Sequence, residues 1–292
     1  MKPNINVVGA AIVKDGKLLA LRRAYGEESV NHLYEFAGGK VEKDETPEQA
    51  LIRECKEELD LEVEVRDLLG TIEYDYPQTT VTLSVYFVKP LSDYKLRVHE
   101  EEKWIDCDKL DASEWAPADK SFLGTLIKGY SKTRIASTDH DFRNINRIAN
   151  EVMHEVFDAT TPEGQVDFMI KNELTPKAMK KNISKNEYTY KVVYFNGEPA
   201  GFAAYCPAKY FDPSYTEGTF LSKLYFKKFA RGKRLAFKLF ASLPHPIYLT
   251  VKKDNVNAIN IYKHYDFKIL QNLKTDIGGG YTMDDFLMVL GK

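Results

Sequence analysis

The sequence predicts an α+β protein of two domains that follow one another along the chain. Its 292 residues are about twice the length of a typical domain, for which roughly 150 residues is the prior. Apolar residues make up 43% and charged residues 29% of the chain, which excludes disordered and collagen-like classes. Segments typical of strands and of helices occur in both halves, so each domain is expected to combine a sheet with helices.

The distribution of charge indicates where the domains divide. Residues 1–133 carry 18 basic and 26 acidic side chains, whereas the rest of the chain carries 23 basic and 17 acidic ones. A short polar stretch around Gly129 separates two apparent helices. We therefore expect a first domain at residues 1–130 and a second at 134–292, with different binding partners.

The composition also excludes several classes of protein. The net charge of −2 does not indicate nucleic-acid binding. Three cysteines without a C-x-x-C pair cannot form a disulfide framework, and they fit a reducing compartment. The sequence contains neither an apolar run of about 18 residues nor a signal-peptide core. We therefore expect a cytoplasmic protein that binds neither nucleic acid nor membrane, and the sequence leaves the oligomeric state open.

The first half begins with a predicted hairpin. Residues 7–13 form an apolar strand, and Asp15-Gly16 is a turn signal that precedes a partner strand at 17–22. A helix is expected at 47–59. Residues 81–88, rich in β-branched and aromatic side chains, form a further strand.

The predicted helix carries a row of acidic side chains. It begins with a capping box of Thr46 and Gln49, and Glu54, Glu57 and Glu58 then follow at spacings i, i+3 and i+4. Like charges on one face destabilise an isolated helix, and a bound divalent cation such as Mg²⁺ would offset their repulsion. The alternative interpretation is a solvated acidic face.

The residues around this helix favour the metal-binding interpretation. The segment from Gly39 to Leu61 follows the pattern G-x5-E-x7-R-E-U-x-E-E-x-G-U, in which U is aliphatic. Six fixed residues would match by chance on the order of once in 10⁵ such chains. The segment resembles the signature of the Nudix hydrolase family, and the resemblance covers residues 5 to about 128. Cys55 stands where an aliphatic residue is usual, and Asp60 stands where Gly is usual.

The resemblance implies an α/β/α sandwich with a mixed sheet and a hydrolase that uses Mg²⁺ or Mn²⁺. The implied metal ligands are the carboxylates of Glu54, Glu57 and Glu58 and the backbone of Gly39. Arg53 and Glu45 would support them, Arg53 by holding a carboxylate in place. Glu100, or Glu101 beside it, would serve as a base or a further ligand, and a solvated loop charge is an equally good interpretation of both.

Three segments resemble the MutT-like branch, near the CTP and modified-dNTP pyrophosphohydrolases: Gly38-Gly39-Lys40, the strand at 68–76 and Trp115 to Asp119. This resemblance implies a nucleotide substrate that is cleaved to a monophosphate and pyrophosphate. Asp119 would read the edge of the base, and Arg23 would contact phosphate or sugar. Asp119 is equally well placed to cap the helix that follows it, since Asp is a frequent N-cap residue, and the two roles do not exclude each other.

The second half is predicted to contain a helix at 145–157 and a hairpin whose turn is Asn196-Gly197. A strand at 219–226 leads into a basic, Gly-containing turn at the start of a helix that is expected to run to about Leu243, an arrangement that favours phosphate binding. A further strand at 247–251 and a helix at 257–265 follow.

This order of elements resembles the GNAT family of N-acetyltransferases over residues 134–292. The family pattern R/Q-x-x-G-x-G/A begins at Arg231, and N-x-x-A-x-x-x-Y-x-x-x-G-F begins at Asn255; Arg234 and Asp266 stand where Gly is usual. The resemblance implies an α/β domain that binds acetyl-CoA through the following residues: Leu224, Phe226, Arg231, Gly232, Lys233, Arg234, Leu235, Ala236 and Asn255.

The implied reaction is acetyl transfer to an unknown amine, in which Tyr262 protonates the departing thiolate. Tyr262 is alternatively a core residue of an amphipathic helix, and the sequence names no general base. The leading hypothesis is a bifunctional enzyme. Its alternatives are a second domain that binds CoA or packs without catalysis, and a first domain that cleaves another diphosphate, such as a nucleotide sugar or CoA.

Overall fold

The computed structural model describes residues 2–23 and 32–291. The chain divides into two compact units, Met1–Ser131 together with Phe195–Glu198, and Lys132–Tyr194 together with Pro199–Lys292. Because Phe195–Glu198 groups with the first unit, the second unit is not one continuous stretch of sequence. No helix of the described ranges is long and apolar enough to cross a membrane.

The first unit contains a mixed sheet and two α-helices within the described ranges. Its strands are β1 (Asn4–Lys14), β2 (Lys17–Arg22), β3 (Tyr34–Glu35), β4 (Ala37–Lys40), β5 (Val63–Asp75), β6 (Thr80–Pro90) and β7 (Glu101–Asp106). Its helices are α1 (Pro47–Leu59) and α2 (Lys120–Lys128), and 3₁₀ turns lie at Cys107–Lys109 and Ala112–Glu114. The strand order is β3-β2-β1-β6-β5, with β4 paired to β1 and β7 paired to β2. Strands β1 and β6 are parallel, whereas β1–β4 and β5–β6 are antiparallel.

The sheet of the first unit is covered by a helix on each face. Alternate residues of β1 point to opposite sides, as a strand period of two requires. Ala11 and Val13 join the core that contains residues of α2, whereas Ala10 and Ile12 join the core that contains residues of α1. The predicted α/β/α sandwich with a mixed sheet is therefore confirmed.

The second unit also combines one sheet with helices. Its strands are β8 (Ser131–Ile135), β9 (Thr189–Phe195), β10 (Glu198–Pro207), β11 (Thr219–Phe226), β12 (Ile247–Lys252), β13 (Lys268–Gly278) and β14 (Tyr281–Leu290). Its helices are α3 (Asp139–Phe157), α4 (Gln165–Met169), α5 (Pro176–Asn186), α6 (Leu235–Phe240) and α7 (Val256–His264). A π-helical turn at Ile170–Leu174 follows α4, and 3₁₀ turns lie at Ala208–Tyr210 and Lys228–Ala230. The strand order is β13-β14-β12-β11-β10-β9-β8.

Strands β11 and β12 pair over a short stretch only. They are parallel, and their register runs from Thr219↔Ile247 to Leu221↔Leu249. Beyond that point β11 remains paired with β10 and β12 with β14, so a gap opens within the sheet. A register shift between Ala204 and Tyr205 marks a β-bulge opposite the start of this gap.

Several elements differ from the sequence-based expectations. The polar stretch around Gly129, expected as a connection, contains the start of β8, an edge strand of mostly exposed residues. The sequence did not predict β8 because this strand lacks alternating apolar residues, which an edge strand does not need. Helix α6 ends at Phe240 rather than near Leu243. Strands β13 and β14 were not predicted, and β13 is exposed along most of its length.

Candidate functional site

Helix α1 begins where the capping box predicts. The hydroxyl of Thr46 accepts the N–H of Gln49, and the side chain of Gln49 accepts the N–H of Thr46. This start sets the rotation of the helix. Its buried side chains pack into the core, and Glu54 and Glu58 lie beside the backbone of β4. Glu57 is more open, with 59% of its side chain exposed.

The two glycines of β4 lie beside these carboxylates. The Gly38 N–H donates to Oε2 of Glu58 at 2.9 Å. A Cβ atom on Gly39 would lie 2.3 Å from Oε1 of Glu54, and one on Gly38 would lie 2.0 Å from the carbonyl oxygen of Val8. Glycine at position 39 therefore leaves room for Glu54, and glycine at position 38 allows β4 to approach the backbone of β1.

Arg53 binds three of the surrounding carboxylates. Its Nε and Nη2 donate to the two oxygens of Glu45, each at 3.0 Å, and its Nη1 donates to Glu54 at 2.8 Å and to Glu57 at 3.2 Å. Nη2 also donates to the carbonyl oxygen of Lys40. The hydrogen bonds that Arg53 donates to Glu45 and then to Glu54 raise its pKa, so the guanidinium stays charged.

The acidic cluster is electrostatically unfavourable without a cation. Burial raises the pKa of Glu58 to about 7, and the charges of Glu35 and Glu54 act in the same direction. Among the described residues, no three acidic, His or Cys side chains converge as a preformed metal site. The donors nevertheless fit a hard cation in kind, because Glu54, Glu57 and Glu58 offer carboxylate oxygens beside a backbone that lacks a Cβ at Gly39.

Glu35 and His99 form part of this region, although the sequence did not indicate them. Arg23 holds both oxygens of Glu35, with Nε at 2.9 Å and Nη2 at 2.6 Å. Nε2 of His99 lies 3.2 Å from Oε1 of Glu35, and its buried Nδ1 has no hydrogen-bond partner among the described residues. Burial opposes ionisation of Glu35, but the hydrogen bonds from His99 and Arg23 outweigh it and lower its pKa.

Glu100 and Glu101 lie apart from these contacts. Oε1 of Glu100 is 2.8 Å from Nδ1 of His32, and Glu101 pairs with Arg22 at 3.0 Å. Neither is among the groups whose charges act on Glu58, which are His99, Glu35 and Glu54. No spacing rule could have identified His99, because its burial beside Glu35 depends on how β3 meets the loop before β7.

Asp119 faces β3 and β4 rather than its own helix. Its Oδ1 accepts the N–H of Phe36 at 3.0 Å, and it makes no side-chain cap to α2. The helix-cap interpretation is therefore wrong. Burial raises the pKa of Asp119 to about 7. Trp115 packs against Phe36 with ring centroids 5.2 Å apart, so Asp119 lies beside a pair of packed aromatic residues.

The gap between β11 and β12 is the mouth of a cleft in the second unit. Its volume is about 1100 Å³, and all the predicted cofactor-binding residues other than Lys233 line it, together with Tyr262. The turn before α6 contains two residues in the left-handed region, Gly232 at φ +75° and Arg234 at φ +59°. The guanidinium of Arg231 is held by both oxygens of Glu155 at 2.7 Å, and its Nε donates to the carbonyl oxygen of Phe226.

Asn255 and Tyr262 lie at the start and near the end of α7. The side-chain oxygen of Asn255 accepts the N–H of Ala258 at 3.1 Å and so caps the helix. The ring of Tyr262 packs against Phe267 with centroids 5.5 Å apart, and burial raises its pKa. Its hydroxyl makes no hydrogen bond within the described part of the chain. Packing in the core therefore explains the position of the Tyr262 ring, and the hydroxyl remains available to a ligand in the cleft.

The departures from the two family patterns have simple physical explanations. Cys55 is buried in the core under α1, where burial raises the pKa of its thiol to about 12. Asp60, Arg234 and Asp266 replace Gly, and all three adopt left-handed backbone, at φ +50°, +59° and +66°. The usual Gly at these positions follows from that conformation, and the fold tolerates other residues there.

Comparison with known proteins agrees with this geometry. Residues 3–126 match the NUDIX domain, and residues 151–267 match the Acetyltransferase (GNAT) family. The chain is 37% identical over 125 residues to a CTP pyrophosphohydrolase of Escherichia coli K12, covering 42% of this chain and 91% of that protein. It is 31% identical over 130 residues to an 8-oxo-dGTP diphosphatase of Haemophilus influenzae, covering 44% and 95%. The solved structure of the E. coli ORF135 protein aligns over 43% of this chain and 90% of its own, with 31% identity and a TM-score of 0.40.

The fold and the two sites define an enzyme that joins a hydrolase domain to an acyltransferase-type domain. The chain belongs to the Nudix hydrolase family through its first domain, which has MutT-like relatives, and its second domain is a GNAT domain.

Proposed function

We propose that the protein is bifunctional. The first domain hydrolyses nucleoside triphosphates to a monophosphate and pyrophosphate, with CTP, dCTP or oxidised dNTPs as substrates. The second domain transfers an acetyl group from acetyl-CoA to an amine. The activities of two relatives, a CTP pyrophosphohydrolase and an 8-oxo-dGTP diphosphatase, support this choice of substrates for the first domain.

The single observation that carries the hydrolase proposal is the fit between β4 and α1, in which Gly39 leaves space for Glu54 and the Gly38 N–H donates to Glu58. We propose that Glu54, Glu57 and Glu58, with the backbone of Gly39, hold Mg²⁺ or Mn²⁺. When bound, such a cation neutralises the phosphate oxygens and activates water. Arg53 fixes the orientation of the carboxylates by binding Glu45 on its other side.

The nucleotide would extend from this cluster towards Asp119. We propose that Asp119, beside the N–H of Phe36, reads the edge of the base. Arg23 remains a candidate for contact with phosphate or sugar, although Glu35 already holds its guanidinium. For the group that takes the proton of the attacking water, we propose Glu100 or Glu35. The pH dependence of kcat in Glu100→Gln and Glu35→Gln distinguishes them, because only substitution of the proton acceptor should change it.

The transferase proposal rests on the separation of β11 and β12 above the cleft. The backbone of Leu224 and Phe226, beyond the end of the β11–β12 pairing, would bind the pantetheine arm. The N–H groups of the turn from Arg231 to Ala236 would bind the pyrophosphate. Asn255 would complete the cofactor contacts from the start of α7. We propose that Tyr262 then protonates the departing thiolate.

The hydrolase proposal is tested with a panel of canonical, oxidised and methylated nucleotides in the presence of Mg²⁺. Release of pyrophosphate and a nucleoside monophosphate is the expected result. Glu57→Gln should abolish it, whereas Glu62→Gln, at an exposed position just beyond α1, should not. A Glu57→Gln protein as fast as the wild type would contradict the metal assignment.

One observation favours a second candidate for the GNAT domain. The pairing of Arg231 with Glu155 occupies a guanidinium at the turn that a phosphate site could otherwise use. A domain that binds CoA without catalysis, beside a hydrolase acting on a nucleotide sugar or on CoA, is therefore the alternative. Calorimetry with acetyl-CoA followed by a thiol-release assay separates the two, and CoA and nucleotide sugars belong in the hydrolase panel.

A further inference from the structure

Asp285 is a buried acidic side chain that lines the cleft. It lies on β14, opposite Lys252 of β12, and only 7% of the residue is exposed. Its Oδ1 is buried and has no hydrogen-bond partner among the described residues. A buried carboxylate oxygen without a partner is costly, so such a group in a ligand cleft calls for a functional explanation.

The cations around Asp285 do not provide its counter-charge. Lys223 of β11, Lys252 of β12 and Lys253 after it act on it electrostatically, as does the neighbouring Asp284. Asp285 in turn acts electrostatically on Tyr225 of β11. Each lysine already has a carboxylate partner: Lys223 with Glu173 at 2.7 Å, Lys252 with Asp254 at 3.2 Å and Lys253 with Asp284 at 2.5 Å. Among the described residues, none of these lysines therefore forms a direct ion pair with Asp285.

The position of Asp285 separates it from the turn that would bind the cofactor phosphates. Phe286 and Met288 of β14 pack in the core that contains residues of α6 and α7, so Asp285 faces the opposite side of the sheet. Met283, which shares that side, contacts Gln165 of α4. The cleft is lined by residues of both α3 and α7, and it therefore passes through the gap in the sheet and reaches both faces.

We propose that Asp285 binds the ammonium group of the acceptor, a primary alkylamine, and accepts its proton before acetyl transfer. This inference rests on the proposed transferase function. It supplies the general base that the sequence patterns did not name. The acceptor enters from the α3 and α4 side, and acetyl-CoA occupies the gap from the α6 side.

Asp285, Tyr262 and the two substrates account for every proton and electron pair in this reaction. The Asp285 carboxylate takes one proton from the ammonium and leaves a neutral amine. The nitrogen lone pair attacks the thioester carbonyl, a C–N bond forms and the C–S bond breaks. The thiolate is protonated by Tyr262, which is restored by the proton that the attacking nitrogen loses. Asp285 then releases its proton to solvent, so the products are the amide, CoA thiol and one proton.

The test compares Asp285→Asn with Asp284→Asn. Asp284 is the adjacent carboxylate, is 61% exposed in its side chain and points to the other face of the strand. Acetyl-CoA binding is measured by calorimetry, and thiol release is measured with n-butylamine, 1,4-diaminobutane and tyramine. We expect both variants to bind acetyl-CoA within about threefold of wild type, and Asp285→Asn alone to lose about 10²-fold or more in kcat/KM at pH 7.

The pH profile separates a proton acceptor from a structural residue. Wild-type kcat/KM should reach a plateau once Asp285 is ionised, whereas Asp285→Asn should rise about tenfold per pH unit, because only the free amine then reacts. An unchanged rate or an unchanged profile in Asp285→Asn overturns this role alone. Wild-type binding of acetyl-CoA without turnover of any of the three amines overturns the acceptor class. Absence of acetyl-CoA binding overturns the transferase function itself and the role of Asp285 with it.

Discussion

The carboxylate of Glu54 occupies the space that a Cβ atom on Gly39 would need, with Oε1 2.3 Å from that position. Gly39→Ala should therefore displace Glu54, because a backbone strand moves less easily than a side chain. We expect nucleotide hydrolysis to fall about 100-fold, the effect typical of a misplacement of about 1 Å in a catalytic group. The rate of pyrophosphate release measures it.

Gly124→Ala is the matched control for this change. Gly124 lies within α2, and a Cβ there would meet nothing within 4 Å. The variant should keep its hydrolase rate. Its free energy of unfolding should rise by roughly 0.5–1 kcal/mol, since Ala is more favourable than Gly inside a helix. Equal activity of Gly39→Ala and Gly124→Ala would remove the steric argument for the Gly38-Gly39 pair.

Arg53→Lys tests whether the guanidinium orients the carboxylates. Lysine cannot bind both oxygens of Glu45 while also reaching Glu54, as Arg53 does. We expect the apparent Mg²⁺ affinity to fall about 10–100-fold, the range found when partners of metal ligands are removed. A Mg²⁺ titration of the rate measures it. Arg97→Lys, which weakens an exposed pair with Asp60, should leave the titration unchanged.

Asp119 should make the stability of the first unit depend on pH. Its pKa is raised from 3.8 to about 7, so the folded state holds this proton more tightly than the unfolded chain. Its contribution to stability is present below pH 4 and is lost as the pH rises through 7. Asp119→Asn should therefore be more stable than wild type at pH 8, by roughly 1–2 kcal/mol after allowance for solvent screening, and similar to it near pH 4.

Tryptophan fluorescence can follow this effect in the first unit alone. Both tryptophans of the chain, Trp104 and Trp115, lie there. Urea unfolding of wild type and Asp119→Asn at pH 4, 6 and 8 gives the difference directly. A difference that stays constant across this range would show that Asp119 titrates near its usual pKa.

Asp141 of the second unit should have the opposite effect on the pH dependence of stability. Burial raises its pKa, but hydrogen bonds from Thr138, Ser137 and Arg134 outweigh it and lower the pKa to about 2. Its contribution is present above pH 4 and is lost as the pH falls towards 2. We expect Asp141→Ala to cost about 2–3 kcal/mol at pH 7, since it removes both a capping box and the ion pair between a buried carboxylate and the half-exposed Arg134. Calorimetry should show a lower unfolding temperature for the second unit, while the unfolding of the first unit, followed by tryptophan fluorescence, stays unchanged.

The sequence predicted those parts of the molecule that local chemistry determines. The capping box at Thr46 and Gln49 predicted the start of α1, and the hairpin turn at Asn196-Gly197 predicted where β9 meets β10. The acidic row on α1 follows from helical spacing alone. These features depend on residues within about one turn of each other, so no knowledge of the tertiary fold is needed.

The features that the sequence missed depend on contacts between distant segments. Glu35 and His99 are 64 positions apart and carry no common motif. Asp285 follows both GNAT patterns in the chain, and its burial depends on where β14 joins β12. The orientation of Asp119 towards Phe36 was likewise a tertiary outcome, because its own helix offered it an equally plausible local partner.

The left-handed conformation of Arg234 leads to a final prediction about the cofactor. Its side chain is exposed at the cleft, where a cation is favourable beside an anionic ligand, while its backbone adopts a conformation that favours Gly. Arg234→Gly should therefore leave stability unchanged or raise it by up to about 1 kcal/mol, and should weaken acetyl-CoA binding about three- to tenfold. Arg234→Asn, which also tolerates this backbone but lacks the charge, should show the same loss of affinity. Tighter binding of acetyl-CoA by Arg234→Gly than by wild type would contradict this prediction, because the arginine would then obstruct the pyrophosphate rather than bind it. In that case, calorimetry at low and high salt would show no loss of an ionic contact.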